Sequence, residues 1–223
     1  MLKIKYEHLY GSQEKHDLQL TRMTLDQEHV NEEEALESGW LISNGQWYPC
    51  RSVRICVDQY KNKLKPPKID YRFTTYNIDH IKQIHQQYKA YKNFDEDYDI
   101  FQDTERTLWL IGYDNNDPVI FTKFIRYWGG LESQFTCWNY HKPKLQLGKY
   151  IVDTEVWYAK TMGLNYLYIG QGYEKGSIYK ADFPGFEWWT GNEWSTDKEK
   201  YKALCLRDST INTIDDIAKV FHE

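Results

Sequence analysis

The chain has no run of about 18 consecutive apolar residues, so no transmembrane helix is expected. Its opening, MLKIKYEHLY, has neither the apolar stretch nor the small-residue cleavage site of a secretory signal. A cytoplasmic location with no membrane partner is the expectation. The four cysteines, Cys50, Cys56, Cys137 and Cys205, form no C-x-x-C pair. In a reducing compartment they read as buried thiols rather than disulfides, and their spacing does not match a zinc site, so no metal is expected. The seven histidines form no metal or nucleophile cluster, and no Ser-His-Asp or Cys-His pattern stands out. There is no internal repeat and no low-complexity tract. A net charge of −5 argues against a large basic nucleic-acid surface.

What is abundant is aromatic: 9 Trp and 19 Tyr in 223 residues. Disordered chains are poor in such residues, so the chain is a folded protein long enough to bury a substantial core. The one local basic patch is Lys61, Lys63, Lys65 and Lys68 around Pro66-Pro67. It reads equally as a phosphate-binding loop and as a solvated one.

Residues 29–38 read as an acidic helix stopped by Gly39. Residues 40–48 contain a hairpin turning at Asn44-Gly45, and 51–57 alternate as a half-buried strand would. Residues 61–68 are a loop, because two prolines cannot sit in a strand ladder. These features define an N-terminal region over 1–70. In the remainder, 71–223, Asn77 is placed to cap a helix over 78–91 with Ile81, Ile84, Tyr88 and Tyr91 on one face. Strands follow at 107–113 and 118–128 around the turn Asp114-Asn115-Asn116-Asp117, then at 133–140. A helix over 148–162 buries Val152, Val156 and Ala159, closes at Gly163 and leads into a short apolar strand, 165–170. That helix must join two parallel strands by a right-handed crossover. The order is that of an α+β, GNAT-like acyltransferase core: a mixed, mostly antiparallel sheet flanked by helices, with a small N-terminal α/β region.

Residues 146–194 carry a more specific signal. Leu147, Gly148 and Tyr150 open the helix. Gly163, Leu164, Tyr166, Tyr168 and Gly170 follow at fixed spacing, then Tyr179, Lys180, Phe183, Glu187, Gly191 and Trp194. Together they resemble the C-terminal half of the arginyl- and leucyl-tRNA–protein transferases, with segments S-L-G-T-Y, G-L-x-Y-x-Y-L-G-Y-W-I and K-M-x-Y-K-x-x-F-x-P-x-E. Gly39, Trp40, Tyr48, Cys50, Arg54 and Cys56 extend the resemblance towards the N-terminus. The sequence departs from the pattern where G-Y-W-I becomes Gly170-Gln171-Gly172-Tyr173, where the lysine before the Tyr179-Lys180 pair is absent near Gly176-Ser177, where Leu41 and Ile42 replace a double arginine, and where the early cysteine pair is missing. These departures point to an altered donor or acceptor, or to a divergent function.

The resemblance implies transfer of an amino acid from charged tRNA, as co-substrate and without a cofactor, to the amino group of a protein or peptide N-terminus or of a small amine. The residues it implies for catalysis are Tyr179, as an oxyanion donor, and Lys180, as a phosphate or carboxylate partner. Glu155 and Asp153 are candidate general bases that also read as a solvated helix face. Trp138, Gln146, Gly148, Tyr150, Tyr168, Gly170, Gln171 and Tyr173 are the implied donor and substrate contacts. Trp138 and Tyr140 are placed to stack a terminal adenine, although Trp138 also reads as core. Lys61, Lys63, Lys65 and Lys68 are the implied tRNA contacts. Two alternatives share the fold. One is an acyl-CoA-dependent N-acyltransferase, although Gln146-Leu147-Gly148-Lys149-Tyr150 supplies one glycine at the wrong spacing for a pyrophosphate loop. The other is a binding module without catalysis.

Overall fold

The structure is a computed structural model and describes residues 3–8, 18–23, 31–43, 46–61, 69–75, 78–92, 100–211 and 216. In chain order these residues form β1 (Lys3–His8), β2 (Leu18–Met23), α1 (Glu32–Glu37), β3 (Trp40–Ser43), β4 (Gln46–Pro49), β5 (Ser52–Cys56), β6 (Asp70–Thr74) and α2 (Ile78–Lys92). Next come β7 (Thr107–Asp114), β8 (Asp117–Tyr127), β9 (Gly130–Trp138), α3 (Leu147–Thr161) and β10 (Tyr166–Gln171). The series ends with β11 (Phe186–Trp189), β12 (Trp194–Ser195) and α4 (Lys198–Asp208). The Asn44-Gly45 turn, the Asn77 cap and the loop holding Lys63, Lys65 and Lys68 lie outside the described residues. The chain divides into two compact units: residues 1–55 with 169–223, and residues 56–168.

The unit of residues 56–168 is a sheet in the order β6-β7-β8-β9-β10, antiparallel except for the β9–β10 pair. This is the α+β, mostly antiparallel arrangement with flanking helices read from the sequence, and α3 joins its two parallel strands. The Asp114–Asp117 turn forms as expected, with Asn115 at φ 53 and Asn116 at φ 71. Asparagine tolerates that left-handed region, and such a turn matches the twist of the flanking strands. One core cluster holds Ile81, Ile84 and Tyr88 of α2 against Trp109, Ile111, Phe121 and Cys137. A second holds Leu147 and Ile151 of α3 against Val119 and Ile120. Both faces of the central strands are thus covered, which is why β8 is buried almost continuously instead of alternately. Tyr91 does not extend the buried stripe of α2: it is 55% exposed and its ring stacks on Tyr140 outside the cluster.

The other unit contains the antiparallel pairs β1–β2 and β3–β4 and the strand order β12-β11-β5. Asn31 caps α1 by accepting from the amides of Glu33 and Glu34 at 3.0 and 3.3 Å. The helix stops at Gly39, whose φ of +72 suits glycine and whose Cα lies against the Trp189 ring. Strand β5 corrects the half-buried reading: Ser52, Val53, Arg54 and Ile55 are all buried. Its polar positions are affordable inside because they are paired. Ser52 donates to the Gly39 carbonyl, and Arg54 reaches Glu187 at 2.7 Å and Glu37 at 3.2 Å beneath the Trp194 ring. Asp197 caps α4 by accepting from the Lys200 amide.

Candidate functional site

The residues singled out in the sequence fall into both units, and each set has its own geometry. In residues 169–223, β10 ends at Gly170 and Gln171, and Gly170 takes φ +76, a left-handed conformation that turns the chain out of the strand. The Gln171 carbonyl accepts from the Lys180 ammonium at 2.6 Å and from the Ser177 hydroxyl at 3.4 Å. Lys180 is buried, at 9% exposure, so its charge lies in a low-dielectric setting beside that strand end. The side-chain oxygen of Gln171 is also buried and accepts no hydrogen bond from the described residues. A buried amide oxygen left in this state costs about 1–3 kcal/mol, which a ligand N–H placed against it would recover.

The next two residues build the support. Gly172 lies against Tyr201, whose hydroxyl donates to the Ser177 carbonyl at 3.1 Å. The Tyr173 hydroxyl accepts from the Arg51 amide at 2.6 Å, and the Arg51 guanidinium bridges the Gly172 carbonyl and Asp208. Burial pushes the Tyr173, Tyr201 and Cys205 protons up, so all three stay protonated. Tyr173 is therefore a buried strut under the strand end. Tyr179 differs: it is 54% exposed and edge-on to Phe183. Sequence reasoning paired Tyr179 with Lys180, yet adjacent positions in this 3-10 turn put one outside and the other inside.

In residues 56–168, Glu155 corrects the expectation of a solvated helix face. It is 1% exposed, and one carboxylate oxygen accepts from Thr122 at 3.0 Å, Ser133 at 3.1 Å and Thr136 at 3.3 Å. Burial pushes its proton affinity up to about 7, against the opposing pull of the three hydroxyls. Asp153, half-buried, accepts from the Tyr60 hydroxyl at 2.5 Å. The hydroxyl set was not read from the sequence, and its cause is a bulge. Thr136 pairs with Thr122 and Ser133 with Phe124, so Gln134 is one residue too many in β9. That extra residue brings Ser133 and Thr136 to the same face. The parallel register of β9 with β10 covers Gly130 to Glu132 and stops just before Ser133.

Tyr168 is buried and edge-on to Tyr127. Trp138 is half-buried. Its ring sits 4.7 Å from Tyr88, and a Cβ at Gly148 would come within 2.5 Å of it, so this glycine serves helix–indole contact. Gln146 precedes α3 at φ 52 and supplies no side-chain cap. Tyr150 is exposed, with the Lys149 ammonium 5.4 Å from its ring. Lys61 is exposed.

No known protein family matches the chain, and no curated protein does. Among solved structures it is similar to the C-terminal DUF2156 domain of a putative lysylphosphatidylglycerol synthetase from Agrobacterium fabrum. The identity is 7%, and the likeness covers 55% of this chain and 46% of that one with a TM-score of 0.43. The chain thus spans about half the length of the structure it matches. Among the described residues, no helix is long and apolar enough to cross a membrane.

Proposed function

We propose that the protein is an aminoacyltransferase that takes an amino acid from charged tRNA and places it on the amino group of a peptide or protein N-terminus. The observation that carries this reading is the buried side-chain oxygen of Gln171 at the end of β10, which accepts no hydrogen bond from the described residues and lies on the residue whose backbone carbonyl holds the buried Lys180 ammonium. The spacing of Gly163, Leu164, Tyr166, Tyr168 and Gly170 supports it by aligning this strand end with that of the transferases it resembles. An amide oxygen is the acceptor suited to an amine N–H. Lys180, by holding the Gln171 backbone carbonyl, fixes where that acceptor points.

The chemistry asks little more than placement. The donor ester is already activated, and an α-amine with an ordinary pKa near ~8 is partly neutral at physiological pH. Orientation and desolvation of the two reactants then supply most of the rate. The attacking nitrogen forms the amide bond as the ester C–O bond breaks, and the proton lost by the amine ends on the leaving ribose oxygen.

The test is transfer of radiolabel from a mixed pool of aminoacyl-tRNAs to a library of peptides with free N-termini. Ribonuclease-sensitive labelling is the expected result, with a roughly tenfold fall in kcat/KM for Gln171→Ala, the effect of one lost hydrogen bond of about 1.4 kcal/mol. Absence of transfer at low salt overturns the reading. Labelling from acyl-CoA but not from tRNA overturns the donor class and keeps N-acyl transfer.

A further inference from the structure

An aromatic stack with its Tyr91 ring 55% exposed lies in the unit of residues 56–168. Tyr91, in the last turn of α2, lies face to face with Tyr140 at 3.9 Å and 20° between planes. The His141 ring follows at 4.2 Å from Tyr140. The Lys92 ammonium stands 5.7 Å from the Tyr91 ring, 5.8 Å from Tyr88 and 5.7 Å from Trp138. All of these residues belong to the unit of residues 56–168.

We propose that Tyr91, Tyr140 and His141, with Lys92 beside them, form a docking ledge for the single-stranded 3′ end of an RNA. The naming of RNA as the occupant rests on the aminoacyl-tRNA reading above. Two properties of the ledge fit that occupant. Stacked rings left open to solvent present a π-face that any unpaired base can extend, worth about tenfold in affinity or more per base. An ammonium 5.7 Å from the Tyr91 ring suits the phosphodiester that joins one base to the next. A duplex keeps its bases stacked inside and cannot reach such a platform.

Lys92 also stands over a packed pair, the Trp138 ring lying 4.7 Å from Tyr88 and against Gly148. The number of phosphates neutralised is small, because Asp95, Glu96 and Asp97 follow Lys92 closely in the sequence. With about one or two contacts, log Kd depends on log salt with a slope of about 1, far shallower than for proteins that track a long backbone.

The experiment is fluorescence anisotropy of a short labelled single-stranded RNA ending in CCA, titrated with the full chain. The same sequence annealed to its complement is the control. Expected results are saturable binding of the single strand over the duplex and a roughly tenfold weakening for Tyr91→Ala. Tyr91→Phe should retain affinity, and Lys92→Gln should lower the salt slope by about 0.7. Matching urea midpoints for the variants establish that the fold is intact. Equal binding of duplex and single strand, or unchanged Kd in both Tyr91→Ala and Lys92→Gln, overturns the ledge. Label transfer by the parent protein, with KM for charged tRNA unchanged in both variants, also overturns the ledge and leaves the transferase reading intact. Variant-sensitive RNA binding with no transfer from any charged tRNA does the reverse.

Discussion

Gly172 and Tyr201 occupy one volume between them: a Cβ on the glycine would stand 2.2 Å from the tyrosine hydroxyl oxygen. The transferases that the sequence resembles carry a bulky aromatic in this stretch. Here the aromatic that fills the space comes from α4, and its hydroxyl ties that helix to the turn holding Ser177 and Lys180. Gly172→Ala is expected to destabilise by about 1–3 kcal/mol through overpacking. Tyr201→Phe, which keeps the ring and loses one hydrogen bond, should cost about 1 kcal/mol. Urea unfolding of the two single variants and the double variant checks both, with Gly172→Ala expected to remain the larger effect.

Glu155 makes stability depend on pH. Its folded-state proton affinity is raised from an ordinary 4.5 to about 7 by burial. Between those values the folded chain holds a proton that the unfolded chain has released. This contribution is therefore fully present below pH 4.5, shrinks as pH rises and is gone above about 7. The full change is about 3 kcal/mol. The groups facing Glu155 are Thr122 from β8, Ser133 and Thr136 from β9, and Tyr71 from β6, whose own proton is held higher by burial and in part by the Glu155 charge. Urea midpoints of Glu155→Gln should lose most of the decline seen in the parent protein between pH 5 and 7.5. An equal decline in the variant would show that other groups carry it.

Arg54 separates a buried ion pair from an exposed one on a single guanidinium. Its side chain is 5% exposed, Glu187 is 16% exposed and Glu37 is 55% exposed. Arg54→Ala should cost about 3–5 kcal/mol, because Glu187 would be left without its cation and Trp194 without its stacked partner. Glu37→Gln should cost less than about 1 kcal/mol. Thermal denaturation of both variants at moderate salt measures the contrast.

The Asn115-Asn116 turn offers a test of backbone conformation. Both residues sit at positive φ, where a β-branched side chain is strained. Asn116→Val is expected to destabilise by about 1–2 kcal/mol, and Asn116→Gly to change stability by only a few tenths in either direction. Chemical denaturation of the two variants side by side checks the sign and the ratio.

Much of the fold is legible in the sequence because the signals are local. The apolar spacing of α2 and α3, the Asp114–Asp117 turn and the helix stop at Gly39 all follow from propensity and turn chemistry within a few residues. The parallel β9–α3–β10 unit follows from the strand–helix–strand order, because a helical crossover returns the chain in the same direction. The site was only partly legible. Gln171 and Lys180 were marked by motif spacing, but the inward turn of Lys180 and outward turn of Tyr179 were not.

What tertiary structure alone decided is the fate of polar residues. Glu155 and Arg54 lie on stretches whose pattern reads as half-exposed, and each is buried because partners distant in sequence satisfy it. Ser133 and Thr136, an odd number of positions apart, should face opposite sides of a regular strand. One extra residue, Gln134, puts both hydroxyls on Glu155. A bulge is a property of two strands in register, so no single segment of sequence could announce it.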